Sequence, residues 1–175
     1  MNFIDVLTTE LRSQSKKTYL FEEISKGYRN EMIQIFQKAL KDESFSFVSY
    51  LRIAEALKGY NEAEIAEEFL SHGLEESRHF QELLEYASKV QIIDELCIKF
   101  NYNYKMPGND LESIITWKQD LENEAMTDYL KAAEIAFKEG DILTQEFFKE
   151  LAKDESNHID NLLKYTDIGS EYLEI

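Results

Sequence analysis

The chain has 175 residues, with 19 basic side chains against 35 acidic ones, for a formal charge of −16. That balance opposes binding to nucleic acid or to an anionic membrane and attracts cations. One proline and six glycines leave long stretches in which helices run uninterrupted, so a single all-helical domain is expected.

In chain order, residues 1–28 are expected to form a short helical N-terminal extension, built from "IDVLTTELRS" and "YLFEEISKG" and stopped at Gly27. The start has no basic segment followed by an apolar core, and no run approaches the roughly 20 apolar residues that cross a bilayer. A cytoplasmic protein is therefore expected, and the lone Cys97 with no CxxC pair fits a reducing compartment. The bundle proper is expected over residues 29–175. Phe36, Leu40, Phe47, Ala54 and Leu57 recur at helical spacing and define a first long helix from Asn30 to near Gly59. After the turn "KGYN", Asn61 is a plausible cap for a second helix carrying Ile65, Phe69, Phe80, Leu83 and Leu84 to about Val90.

The next segment, broken around Pro107, is the only long connection, and Cys97 within it is expected to be a small buried hydrophobe. Asp110 then caps a third helix through Ile115, Met126, Leu130 and Ala133 to Gly140. Asp141 caps a fourth, lined inside by Phe147, Phe148, Leu151, Ile159, Leu162 and Leu163. Two antiparallel hairpins joined by one long crossover make a four-helix bundle of the ferritin-like kind.

The chain also repeats itself. A shift of 79 residues lays "YLRIAE" at 50–55 on "YLKAAE" at 129–134 and "EESRH" at 75–79 on "DESNH" at 154–158. Under it Glu43 falls on Glu122, Tyr50 on Tyr129, Glu76 on Glu155 and His79 on His158. Each of these acids interrupts an apolar row, and each Glu-x-x-His pair projects from one helical face. A single ExxH on a helix carries little information, but two of them, each with a Glu 33 residues upstream, are a specific pattern. Four carboxylates at one depth require strong positive charge among them. No buried Lys or Arg is expected in those rows, so two metal ions are the expected source, with Glu43, Glu76, His79, Glu122, Glu155 and His158 as ligands.

With these residues, the segment from about 30 to 165 resembles the rubrerythrin and bacterioferritin branch of the ferritin-like superfamily. The resemblance implies two iron ions in that ligand set, with manganese able to bind the same donors. It also places Tyr50, two turns after Glu43, beside the metals as the candidate catalytic residue. The chain departs from the family at three places. Ser77 stands where bacterioferritin has its haem-ligating Met, so no haem is expected. Ala125 stands where rubrerythrins carry a further Glu, and the rubredoxin cysteines are missing, which implies a separate electron-donor protein. The 17 residues after His158 are too few for the extra helix of a ferritin cage.

The expected partners are Fe(II) and O2 or H2O2, with a homodimer as the expected assembly. The expected activity is that of a ferroxidase or peroxidase. The alternatives are an oxygenase or oxidase of a small organic molecule, a cage subunit, or a metal-free interaction module. Removing Glu76 or Glu155 is expected to remove about half of the bound metal. Tyr50 and Tyr129 either relay electrons, or hydrogen-bond a ligand carboxylate, or fill the core with their hydroxyls satisfied. Glu75 and Asp154 either orient the ligand histidines or are solvated. His72, one turn before Glu76, either touches the site or, as expected, is solvated or satisfied in the core; Trp117 is expected to serve packing, and Glu55 and Glu134 to have no chemistry.

Overall fold

The computed structural model describes residues 26–58, 63–100 and 110–165. Four long helices account for most of them: α1 (Lys26–Lys58), α2 (Ala63–Lys89), α3 (Leu111–Lys138) and α4 (Ile142–Leu163), with one 3-10 turn at Ile93–Glu95. The readings on residues 1–25 and on Asn61 lie outside the described residues, while α1 already includes Gly27, which is therefore not a helix stop. Among the described residues no helix is long and apolar enough to cross a membrane.

Local chemistry sets the helix ends. Asp110 accepts a hydrogen bond from Ser113 N at 2.8 Å, and Asp141 accepts one from Thr144 N at 3.1 Å; each satisfies an amide that the first helical turn leaves open. Gly140, at φ 76°, closes α3 with Asp141 N donating to Ala136 O at 2.9 Å. Gln91 takes the corresponding left-handed position after α2, at φ 61°, with Ile92 N donating to Ala87 O at 2.9 Å. A side chain there carries a strain of about 1 kcal/mol that glycine avoids.

The helices pair as two hairpins. Gly73 lets α2 approach α1 closely, since a Cβ on it would lie 3.1 Å from Tyr50 Cβ. Across the hairpins, Tyr129 bonds Glu43 while Tyr50 bonds Glu122, and this crossed register makes α1 and α3 antiparallel. The result is an all-α four-helix bundle of the expected topology, with the α2–α3 connection as the long crossover.

The core has three layers. One apolar cluster gathers Met32, Phe36, Leu40, Leu83, Tyr129, Phe148 and Leu151; the other gathers Tyr50, Ile53, Leu57, Phe69, Ile115 and Leu162. On every helix the buried acids fall between the stretches that feed these two clusters. Three expectations fail at the periphery. Leu130 and Leu163 were expected inside but are half exposed, because each sits one residue, about 100° of helix, away from the buried stripe of Tyr129 and Leu162. Cys97 is exposed, because the crossover runs over the surface. Trp117 packs edge-on against Phe45 with ring centroids 6.2 Å apart, as a packing residue should.

Candidate metal centre

Six polar side chains fill the middle layer: Glu43, Glu76, His79, Glu122, Glu155 and His158, none more than 3% exposed. They come from the inward stripes of all four helices at the same depth, one each from α1 and α3 and two each from α2 and α4, where the three-residue spacing puts Glu and His on one face. All six sequence-predicted ligands are thus brought together. They form two quartets of donor atoms, each within 4.8 Å: Glu43, Glu76, His79 and Glu155, and Glu76, Glu122, Glu155 and His158. Glu76 and Glu155 belong to both quartets, so they would take the bridging positions if two ions were bound, with one terminal Glu and one His on each side.

The other groups hold these donors in place. Tyr129 OH donates to Glu43 Oε1, and Tyr50 OH donates to Glu122 Oε1 at 2.7 Å, so each terminal carboxylate keeps one oxygen turned inward. Both phenols are pushed well above their ordinary pKa, first by burial and then by the carboxylate each one faces. Each imidazole turns Nδ1 to the centre and Nε2 outward. His79 Nε2 lies 3.3 Å from Asp154 Oδ2, which also accepts from Arg78 at 3.0 Å. His158 Nε2 lies 3.1 Å from Glu75 Oε2. Outer carboxylates of this kind fix the ring orientation of a metal-binding histidine and raise its basicity. Of the two alternatives for Glu75 and Asp154, the orienting one therefore holds, and Tyr129 matches Tyr50 in position and role.

The electrostatics record a concentration of negative charge. Glu76 is raised well above the usual carboxylate range, by burial and then by Glu122 and Glu43. Glu155 is raised to about 7, by burial and then by Glu76. Burial would lower His158, but Glu122 and Glu155 hold it up at about 11. Glu43 Oε2, His79 Nδ1 and Glu155 Oε1 are buried without a hydrogen-bond partner, although His79 Nδ1 lies only 3.2 to 3.7 Å from carboxylate oxygens. Orphaned buried donors that all point to one spot are normally rare. A pair of divalent ions would satisfy them, and hard oxygens with one nitrogen per ion suit iron or manganese.

A ferritin-like domain model matches residues 33–169. The chain belongs to the ferritin-like domain family. No curated protein matches it significantly.

Two features of this ferritin-like site depart from the sequence reading. The first is a buried cation, Lys118, fully enclosed on α3 one turn before Glu122. Its Nζ lies 3.0 Å from Glu122 Oε1, donates to Ser46 Oγ at 2.7 Å, and sits 3.6 Å from the centre of the Tyr50 ring. Burial alone would raise Glu122, yet Lys118 and then His158 hold it well below the usual range. The second is His72, which is buried and stacks on His158 with centroids 4.5 Å apart. It touches the site after all. Burial, and then His158, lower its pKa to about 3, so it is a neutral ring there. Glu55 and Glu134 form surface ion pairs with Lys58 and Lys138.

Two cavities lie along the α1–α3 seam. One of about 80 Å³ reaches Glu43, Glu76, Glu122 and Glu155, with Asp42 and Glu124 also in its lining. Another of about 300 Å³ shares Asp42 and Ala125 with it and is lined mainly by Ile35, Ala39, Tyr129, Ala132 and Ile135.

Proposed function

We propose that this ferritin-like protein is a non-haem di-iron carboxylate oxidoreductase of the rubrerythrin and bacterioferritin branch, oxidising Fe(II) or reducing O2 or H2O2. The observation that carries this reading is the pair of donor quartets sharing Glu76 and Glu155, with unpartnered donor atoms turned to the shared space. Two ferrous ions held there would supply two electrons together to an oxidant.

The chain's own part is positioning and proton placement. Tyr50 and Tyr129 each occupy one oxygen of a terminal carboxylate, which limits how Glu43 and Glu122 can turn. Glu75 and Asp154 accept from the outer imidazole nitrogens and keep Nδ1 available to a metal ion. The small cavity with Asp42 and Glu124 in its lining is wide enough for ions, O2 or H2O2, and its negative lining draws cations inward. A separate electron donor would dock outside, and a homodimer remains the proposed assembly.

A second reading, oxidation of a small organic molecule, is favoured by the larger apolar cavity beside the first. Anaerobic titration of metal-stripped protein with Fe(II), followed by air, separates the readings. Saturation at two irons per chain with rapid oxidation supports the di-iron enzyme. Uptake far beyond two indicates storage, and no specific uptake retires the assignment. Oxidant consumption that depends on an added apolar substrate would favour the second reading.

A further inference from the structure

The repeat relates the two halves of the site, and its buried breaks beside the donors gather on one side. Under the 79-residue shift Lys118 corresponds to Ala39, Ser46 to Ala125, Ser49 to Asp128 and His72 to Leu151. Lys118 contacts Glu122, and His72 stacks on His158, so both fall on the half that those two ligands form. Among the described residues the half formed by Glu43 and His79 has no buried lysine or arginine: Glu43 Oε1 accepts from the neutral Tyr129 hydroxyl, its other oxygen has no hydrogen-bond partner, and the half-exposed Arg78 reaches only the outer His79 Nε2, at 3.5 Å, and Asp154. Lys118 cannot easily swing away. Its Nζ is held by Glu122 at 3.0 Å, Ser46 at 2.7 Å and Ser49 at 3.4 Å, against the face of Tyr50.

We propose that Lys118 is a fixed internal cation that makes the two metal positions unequal: the ion at Glu43 and His79 binds tightly, and the ion at Glu122 and His158 binds weakly and exchanges. The inference rests on the di-metal reading. The ammonium already neutralises part of Glu122 and occupies, with Tyr50, the same oxygen, leaving only Oε2 toward the centre. A dication arriving there meets a unit positive charge one carboxylate away, in an interior where water and salt screen little. Lys118 acts through Glu122 and is a positioning residue.

The test is an anaerobic Co(II) titration of metal-stripped full-length protein, followed by calorimetry and by visible absorption. Wild type is expected to bind two ions in steps separated by about tenfold or more. Lys118→Met and Lys118→Gln should tighten the second step toward the first and leave the first unchanged. His158→Ala should abolish the weak step and keep the tight one, and His79→Ala should do the reverse. A residue needed only for structure would move both steps together. Two equal steps in wild type, or Lys118 variants that shift both steps alike or weaken the second, would overturn the proposal. Absence of any Co(II) binding by wild type would instead remove the di-metal reading beneath it.

Discussion

The metal-free protein should lose stability as the pH rises, and the size of the loss can be worked from the centre itself. Glu155 has its folded pKa raised from 4.5 to about 7 by burial and by Glu76. A carboxyl shifted upward contributes stability that is fully present below 4.5 and gone above about 7, because the folded state holds the longer-lived proton. The shift corresponds to about 3 kcal/mol. His158, held at about 11 against an ordinary 6.5, changes stability in the same direction. Its contribution is complete below 6.5 and declines above it, by about 2 kcal/mol at pH 8. Glu122 is shifted downward, so its stabilisation is lost only as pH falls below the ordinary carboxylate range and leaves this window untouched.

His72, lowered to about 3, works the other way and adds about 2 kcal/mol as the pH rises from 5 through 6.5. Urea unfolding of metal-stripped protein at pH 5 and pH 8 should therefore show a net fall of about 2 kcal/mol or more. High salt in both samples suppresses the contribution of the −16 surface charge. Glu155→Gln should flatten the dependence between pH 5 and 7. Metal loading should reverse its sign, because ions bind the deprotonated ligands and displace their protons. A metal-free protein equally stable at both pH values, or more stable at pH 8, would refute the reading of Glu155 and His158 as a strained, proton-holding pair.

The bridging positions revise the expectation that removing Glu76 or Glu155 removes half the metal. Since each belongs to both quartets, Glu76→Ala or Glu155→Ala should strip both ions, whereas Glu43→Ala or Glu122→Ala should strip one; metal analysis after loading decides, and one ion kept at wild-type affinity by Glu155→Ala would contradict the bridge. Asp154→Ala and Glu75→Ala should each weaken one ion by roughly 10- to 100-fold, read from titration, because each orients a different histidine. Gly73→Val should destabilise the bundle by about 1–3 kcal/mol in thermal unfolding, through collision with the Tyr50 stem on α1.

The buried cluster of six candidate ligands was legible because helical spacing and an internal repeat constrain the same residues independently. Glu43 and Glu122 each break an apolar row, and a second copy of the break makes chance an unsatisfactory account. The caps Asp110 and Asp141 were legible because an acid before an apolar-periodic segment has few other uses. Lys118 was not, because lysine on a helix usually reaches water by its long stem and reads as surface. The signal was nevertheless present: Ile115, Lys118, Glu122 and Tyr129 share one stripe, and all are buried. His72 was missed for a related reason. Its twin is the apolar Leu151, so the repeat placed it indoors but offered no second histidine to mark it as part of the site.

The pattern of contacts explains why the centre needs both hairpins. Tyr50 of the first half serves Glu122 of the second, and Tyr129 of the second serves Glu43 of the first. The histidines are exchanged in the same way: His79 faces Asp154, and His158 faces Glu75. A hairpin alone would therefore present its Glu and His side chains without the tyrosine hydroxyls or outer carboxylates that orient them. Docking the hairpins and assembling the ligand sets are consequently one event. The apolar clusters on either side bring the four acids to one depth, and cation binding would relieve the repulsion that this docking creates. Lys118 supplies part of that relief from within the chain, so docking places one fixed positive charge in the layer before any metal ion binds.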